Sequence, residues 1–171
     1  MSDVRGIGEL SARLDKVASV NVARAVRKAA LLVQGAAKAN VLVESGELRG
    51  SIYTDTVSQE GSVNGVVYTN KKYAPYVEFG TGPRGQQNHE GISPEVSVAY
   101  TQSPWWIHEG SGDNEVDRET GERYGWFYID TPEGRFYHCS GQPASPFLYP
   151  ALKNNKEAVM RIIMNEAKKN L

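Results

Sequence analysis

The segment after Asn21 carries the pattern that most constrains the fold of this chain. On a wheel of about 100° per residue, Val22, Val26, Ala29, Ala30, Val33, Ala36 and Ala37 share one face, and Arg24, Arg27, Gln34 and Lys38 occupy the other. Many of the inward positions are alanine. Small side chains let a helix lie close against a flat surface, so the pattern predicts a helix packed on a β-sheet. Asn21 is placed to cap this helix, its side-chain oxygen accepting from free backbone N–H groups. A shorter helix is expected before it over residues 9–20, where Leu10, Leu14 and Val17 recur at helical spacing. Leu31 is the misfit, because it points to the middle of the polar face. With other apolar groups beside it, it would mark a protein–protein contact.

The helical period ends near Asn40. Val41–Gly46 breaks it, with Gly46 able to take a left-handed turn conformation at little cost. Strand composition follows in Ser51–Ser58 and Ser62–Thr69, joined by Gln59–Glu60–Gly61, which reads as a β-hairpin. Tyr73–Phe79 is expected to be partly extended, with Pro75 keeping its start outside a ladder. Residues 80–123 read as a variable, partly mobile insertion loop, since so long a connection is uncommon in a compact domain. Within it, alternation of Val96, Val98 and Tyr100 predicts one short strand, Trp105–Trp106–Ile107 is the most apolar spot, and residues 110–121 are acidic and glycine-containing. A second hairpin is expected across Thr131–Gly134. A final helix is expected from Ser145–Pro146 or from Pro150, with Leu152, Val159, Met160, Ile163 and Ala167 on one side. The order α, hairpin, insertion, hairpin, α gives one α+β domain over residues 1–171. In it an antiparallel sheet packs against a long N-terminal helix and a C-terminal helix.

Composition removes several function classes. The 171 residues, 40% hydrophobic and 23% charged, suit one globular domain and exclude a large multi-domain enzyme. No apolar run approaches the roughly 20 residues of a membrane span, and Met1–Leu10 lacks the apolar core of a secretory signal. A net charge of −1 argues against a dedicated nucleic-acid binder. The charge is nevertheless segregated. Residues 1–40 carry seven bases against three acids, residues 151–171 five against two, and residues 109–133 eight acids against two bases. Opposite charges of this kind either form solvated surface or pair between copies and with charged partners.

No coherent catalytic set emerges. His89 and His108 each precede a glutamate, but the two-histidine helix motif of zinc proteases is absent. A hydrolase or metal enzyme would have to assemble His138, Cys139, His108 and Glu109. Neighbours on a strand point to opposite faces, so His138 cannot be assumed to face Cys139. Ser45, Ser111 and Ser140 lie near glycines without forming a nucleophile elbow. No phosphate-binding or dinucleotide fingerprint is present, and no cofactor or metal is expected. A third class, a nucleic-acid-binding module, would use the basic helices. The aromatics Tyr73, Tyr76 and Phe79 suit core packing or an oligomer interface better than base stacking, since Glu78 lies among them. Trp105 and Trp106 either fold back on the core or anchor a partner.

Three segments together carry a resemblance: VQGAAKANVLVESGELRGSI (Val33–Ile52), YAPYVEFGTGPRG (Tyr73–Gly85) and GQPASPFLYPAL (Gly141–Leu152). In this order and spacing the chain resembles the head–tail joining and minor tail protein family of long-tailed bacteriophages. The resemblance implies a non-enzymatic virion assembly protein at the head–tail junction or the top of the tail, in a neck or tail-completion role. It implies an α+β subunit that forms a ring-like homo-oligomer, with a hexamer among the counts, and meets neighbouring neck or tail-tube proteins. DNA would pass through such an assembly without sequence-specific recognition. The location implied is the host bacterial cytoplasm during assembly and then the virion. The family's motifs are structural, so no catalytic residue is carried over. Leu31, Tyr73, Tyr76, Phe79, Trp105 and Trp106 are the candidate interface residues.

Overall fold

A computed structural model describes residues 7–42, 46–59, 61–110, 112 and 115–169, with the backbone alone for 7–20 and 167. The expected turn at Val43–Ser45, the candidate Ser111, and the side chains of Leu10, Leu14, Val17 and Ala167 lie outside what is described. The fold is α+β, and the chain divides into two compact units, residues 1–74 with 147–171 and residues 75–146.

The first unit is built on α1, Ile7–Asn40, a single helix where the sequence suggested two. Asn21 does not cap it; its side chain accepts from Arg24 Nη2 at 3.0 Å, one turn along the same helix. The buried strip is Ala25, Ala29, Ala30, Val33 and Ala37. Ala25 thus joins the expected face, while Val22 is exposed. A short helix α2, Glu47–Gly50, follows Gly46, whose φ of 75° only glycine adopts readily. Strands β1, Ile52–Gln59, and β2, Ser62–Thr69, form the antiparallel hairpin, with Ile52 opposite Thr69 and Thr56 opposite Gly65. The small-residue prediction holds physically at Gly65, where the helix side chains Val26 and Ala30 crowd the missing Cβ. Gln34, expected in solvent, reaches the hairpin instead: its Nε2 donates to the Ile52 carbonyl at 2.7 Å.

The C-terminal helix is broken in two: α6, Leu148–Asn154, and α7, Lys156–Lys168. Asn155 sits between them, its Nδ2 donating to the Ala151 carbonyl at 2.8 Å, so its side chain ends one helix while its own carbonyl accepts from Val159 N in the next. Neither proposed start is the boundary. Phe147 occupies the cap position and Pro150 the third helical residue, within the first turn where its missing N–H is harmless. Both helices pack on α1. Lys28 Nζ of α1 donates to Glu166 Oε1 of α7 at 2.8 Å. Of the expected apolar side, Leu152 and Met160 are exposed.

The second unit replaces the expected loop with regular elements. Residues 74–79 form α3, Ala74–Phe79, rather than an extended run, with Pro75 tolerated in the first turn. Helix α4, Gly82–Gln87, follows. Val96–Tyr100 is not a strand; no strand among the described residues pairs with it, and Tyr100 instead donates its hydroxyl to the Phe79 carbonyl at 2.8 Å. The strand of this region is β3, Trp105–Glu109. After it come β4, Glu115–Val116, helix α5, Arg118–Arg123, and the hairpin strands β5, Tyr128–Thr131, and β6, Gly134–Cys139. Their four-stranded sheet has the order β4-β3-β6-β5, antiparallel except for the two-residue β3–β4 pair. The expected single sheet is therefore two sheets, one in each unit.

The glycine-rich segments are tied together in this unit by backbone hydrogen bonds. Thr81 N donates to the Gln142 carbonyl at 2.9 Å, Arg84 N to that of Ser140 at 3.1 Å, and Ala144 N to that of Asn88 at 2.8 Å. Gly80, Gly82 and Gly141 all have positive φ here, and a Cβ on Gly141 would collide with the Thr81 carbonyl. These bonds join the segment Tyr73–Gly85 to the start of Gly141–Leu152.

Candidate interaction surface

The four-stranded sheet carries aromatic side chains on both faces, and register decides which side chains go where. One face carries Trp105, Ile107 and Glu109 of β3, Tyr137 and Cys139 of β6, and Tyr128 of β5. Tyr137 is fully buried, with Gly121 of α5 against its ring and Trp126 in edge contact at 6.4 Å between centroids. Here polar groups are mutually satisfied. Arg118 Nη2 donates to Glu109 Oε1 at 2.8 Å, and the Tyr137 hydroxyl donates to Glu109 Oε2 at 3.1 Å. The Arg118 hydrogen bonds hold the Glu109 carboxyl below its ordinary pKa, opposed by some loss of hydration. Arg135 does the same to Asp130, with its Nε 2.8 Å from Oδ1, and its guanidinium stacks 3.8 Å above the Tyr128 ring.

The opposite face carries Trp106 and His108 of β3, Phe136 and His138 of β6, Ile129 of β5, and Phe127 beside it. Trp106 packs on His138 at 5.0 Å and on Phe127 at 6.1 Å, while His108 meets Phe136 edge-on at 4.9 Å. The plate is partly open: Trp106 is 45% exposed and Phe127 67%. His108, the acid Glu115 and the backbone of Glu133 line one margin. His108 Nδ1 lies 3.5 Å from Glu115 Oε1, and Nε2 lies 3.1 Å from the Glu133 carbonyl.

The candidate enzyme residues are divided by the same register. His108 and His138 lie on the open face, Glu109 and Cys139 on the covered one, so the four do not converge. Cys139 is a buried free thiol. Among the described residues no three His, Cys, Asp or Glu side chains cluster as metal ligands, and no helix is long and apolar enough to cross a membrane.

The candidate interface residues are dispersed. Leu31 is 49% exposed on α1, but its neighbours one and two turns back, Arg24, Arg27 and Lys28, are basic rather than apolar. Tyr73, exposed, precedes α3 in the first unit. Tyr76 is exposed and Phe79 half-buried, one turn apart on α3. Trp105 turns inward, its ring against Gly82, while Trp106 turns outward. Sequence reasoning missed Phe127, Ile129 and Phe136, which share a face with Trp106, and weighed His138 of the same face only as a candidate enzyme residue. The signal was present: Trp126–Ile129 and Phe136–Cys139 are apolar at nearly every position, so a strand there has apolar groups on both sides. Also missed were the exposed Met164 on α7, one turn from Met160, and the tilted pair Tyr53–Tyr68, 6.0 Å apart on the outer face of the first hairpin.

These features define a small α+β protein whose second sheet leaves Trp106, Phe127 and Ile129 exposed. Residues 7–80 match a family model, HK97-gp10_like, described as "Bacteriophage HK97-gp10, putative tail-component". The matched stretch runs from α1 through α3 and is similar to this family of putative phage tail components. It covers somewhat under half of the chain and stops before Gly141–Leu152. No curated protein and no solved structure matches the chain.

Proposed function

We propose that the protein is a virion assembly component of the head–tail junction or the top of the tail. It works without catalysis, through contacts with copies of itself and with neighbouring neck or tail-tube proteins. The observation that carries this reading is the tail-component match over α1 and the hairpin. The segregated charge supports it: the basic helices α1 and α7 belong to one compact unit and the acidic stretch 109–133 to the other. A ring needs two different surfaces that meet heterologously until rotation closes the circle. Oppositely charged surfaces on different units supply two such surfaces.

The test is deletion of the gene from a phage or prophage that carries it. The expected result is filled heads and separate tails, or tails of abnormal length, in electron micrographs, with joining restored by the gene in trans. Normal infectious particles from the deletion would overturn the reading.

A further inference from the structure

Two exposed faces of this chain are chemically complementary. The first is the aromatic plate of the four-stranded sheet, Trp106, Phe127 and His138, with the Glu115 carboxylate at its margin beside His108. The second is the outer side of α7. Met160 and Met164 lie one turn apart there, 53% and 48% exposed, and the exposed Arg161, Lys168 and Glu157 share that side, two bases to one acid. Helical geometry places residues three and four apart together, so the two thioethers form a short ridge with basic groups beside it.

Thioether sulfur makes favourable contacts with aromatic rings, and flexible methionines conform to irregular apolar surfaces. The plate itself contributes no lysine, arginine or carboxylate. Its margin is acidic where the ridge is basic, so the docked pair gains opposite charge at the rim and apolar contact at the centre. A polyanion such as DNA suits the plate poorly, because cations for its phosphates are missing there. Like faces suit each other poorly as well: two ridges would bring Arg161 and Lys168 against their own copies.

We infer that the α7 methionine ridge of one copy docks on the Trp106–Phe127–His138 plate of the next, a head-to-tail contact between identical chains. The contact rests on the assembly reading above and names the two surfaces that would build the ring.

Single-cysteine additions test it. Trp106→Cys and Met160→Cys are both surface changes, and the native Cys139 is buried. Oxidised separately, each variant and the wild type should stay uncrosslinked. Mixed and oxidised, the two should give a disulfide-linked dimer joining one of each. Self-linking of either variant alone, or no link in a mixture that sedimentation shows to be assembled, overturns the contact. Charge reversal gives a second reading: Arg161→Glu should shift the sedimentation profile to smaller species, and Glu115→Lys in the same chain should restore it. Failure of the second change to restore assembly counts against the contact. A wild-type chain that sediments only as a monomer also overturns it. The assembly role in the virion is judged separately, by the gene deletion.

Discussion

Gly65 of the first hairpin lies directly beneath Val26 of the long helix: a Cβ added there would come within 2.9 Å of Val26 Cγ1 and 3.2 Å of Ala30 Cβ. The helix rests on the hairpin because one strand position has no side chain and the facing helix positions are small. Val26 is β-branched and has one strongly favoured rotamer in a helix, so it cannot swing away cheaply. Gly65→Ala should destabilise the protein by about 1–3 kcal/mol, the usual range for overpacking. Urea denaturation of both proteins measures this; an unchanged midpoint would show that the helix has room to lift.

Gly121 plays the same part under a harder surface. A Cβ there would strike the ring of Tyr137, which is fully buried and cannot retreat. Gly121→Ala is expected to reach the upper end of about 1–3 kcal/mol. It should also alter the near-ultraviolet signal of Trp126, which packs edge-on against the same ring.

Glu166 makes stability depend on acid. Lys28, and after it Lys169, lowers its carboxyl from 4.5 to about 2. A carboxyl depressed on folding binds fewer protons in the folded than in the unfolded chain. Its contribution is therefore complete above about pH 4.5 and lost as pH falls from there toward 2. The melting-temperature gap between wild type and Glu166→Gln should be largest near neutrality and shrink across that window. A gap independent of pH would show that the Lys28 contact contributes nothing through charge.

Assembly driven partly by opposite charges should weaken in salt. Raising salt from about 0.05 to about 0.5 M shortens the screening length roughly threefold. Sedimentation velocity should then show a shift toward smaller species, without complete dissociation if the apolar centre also contributes. Assembly that is independent of salt, or strengthens in it, would contradict charge pairing between copies.

The amphipathic face after Asn21 was legible because small residues at helical spacing have few other uses, and both hairpins were legible from their turn residues and strand composition. The sequence reading failed where local pattern and partner disagree. Tyr73–Phe79 looks extended, yet Pro75 fits the first turn of a helix. Val96–Tyr100 alternates like a strand but has no partner strand among the described residues, whereas Trp105–Glu109 pairs with β6. The last helix breaks at Asn155 because an amide side chain reaches back to Ala151, which composition does not announce. Trp106 was singled out from sequence, but the plate around it depends on the pairing of Trp106 with His138, and pairing between distant segments is not written in either one alone.

The central claim is that this chain works as a part of the phage particle. Quantitative mass spectrometry of gradient-purified particles tests it most directly. The account predicts peptides of this chain at a fixed copy number per particle, small compared with the major tail-tube subunit and unchanged through a second purification. Peptides abundant in the infected-cell lysate but absent from the purified particles would contradict it.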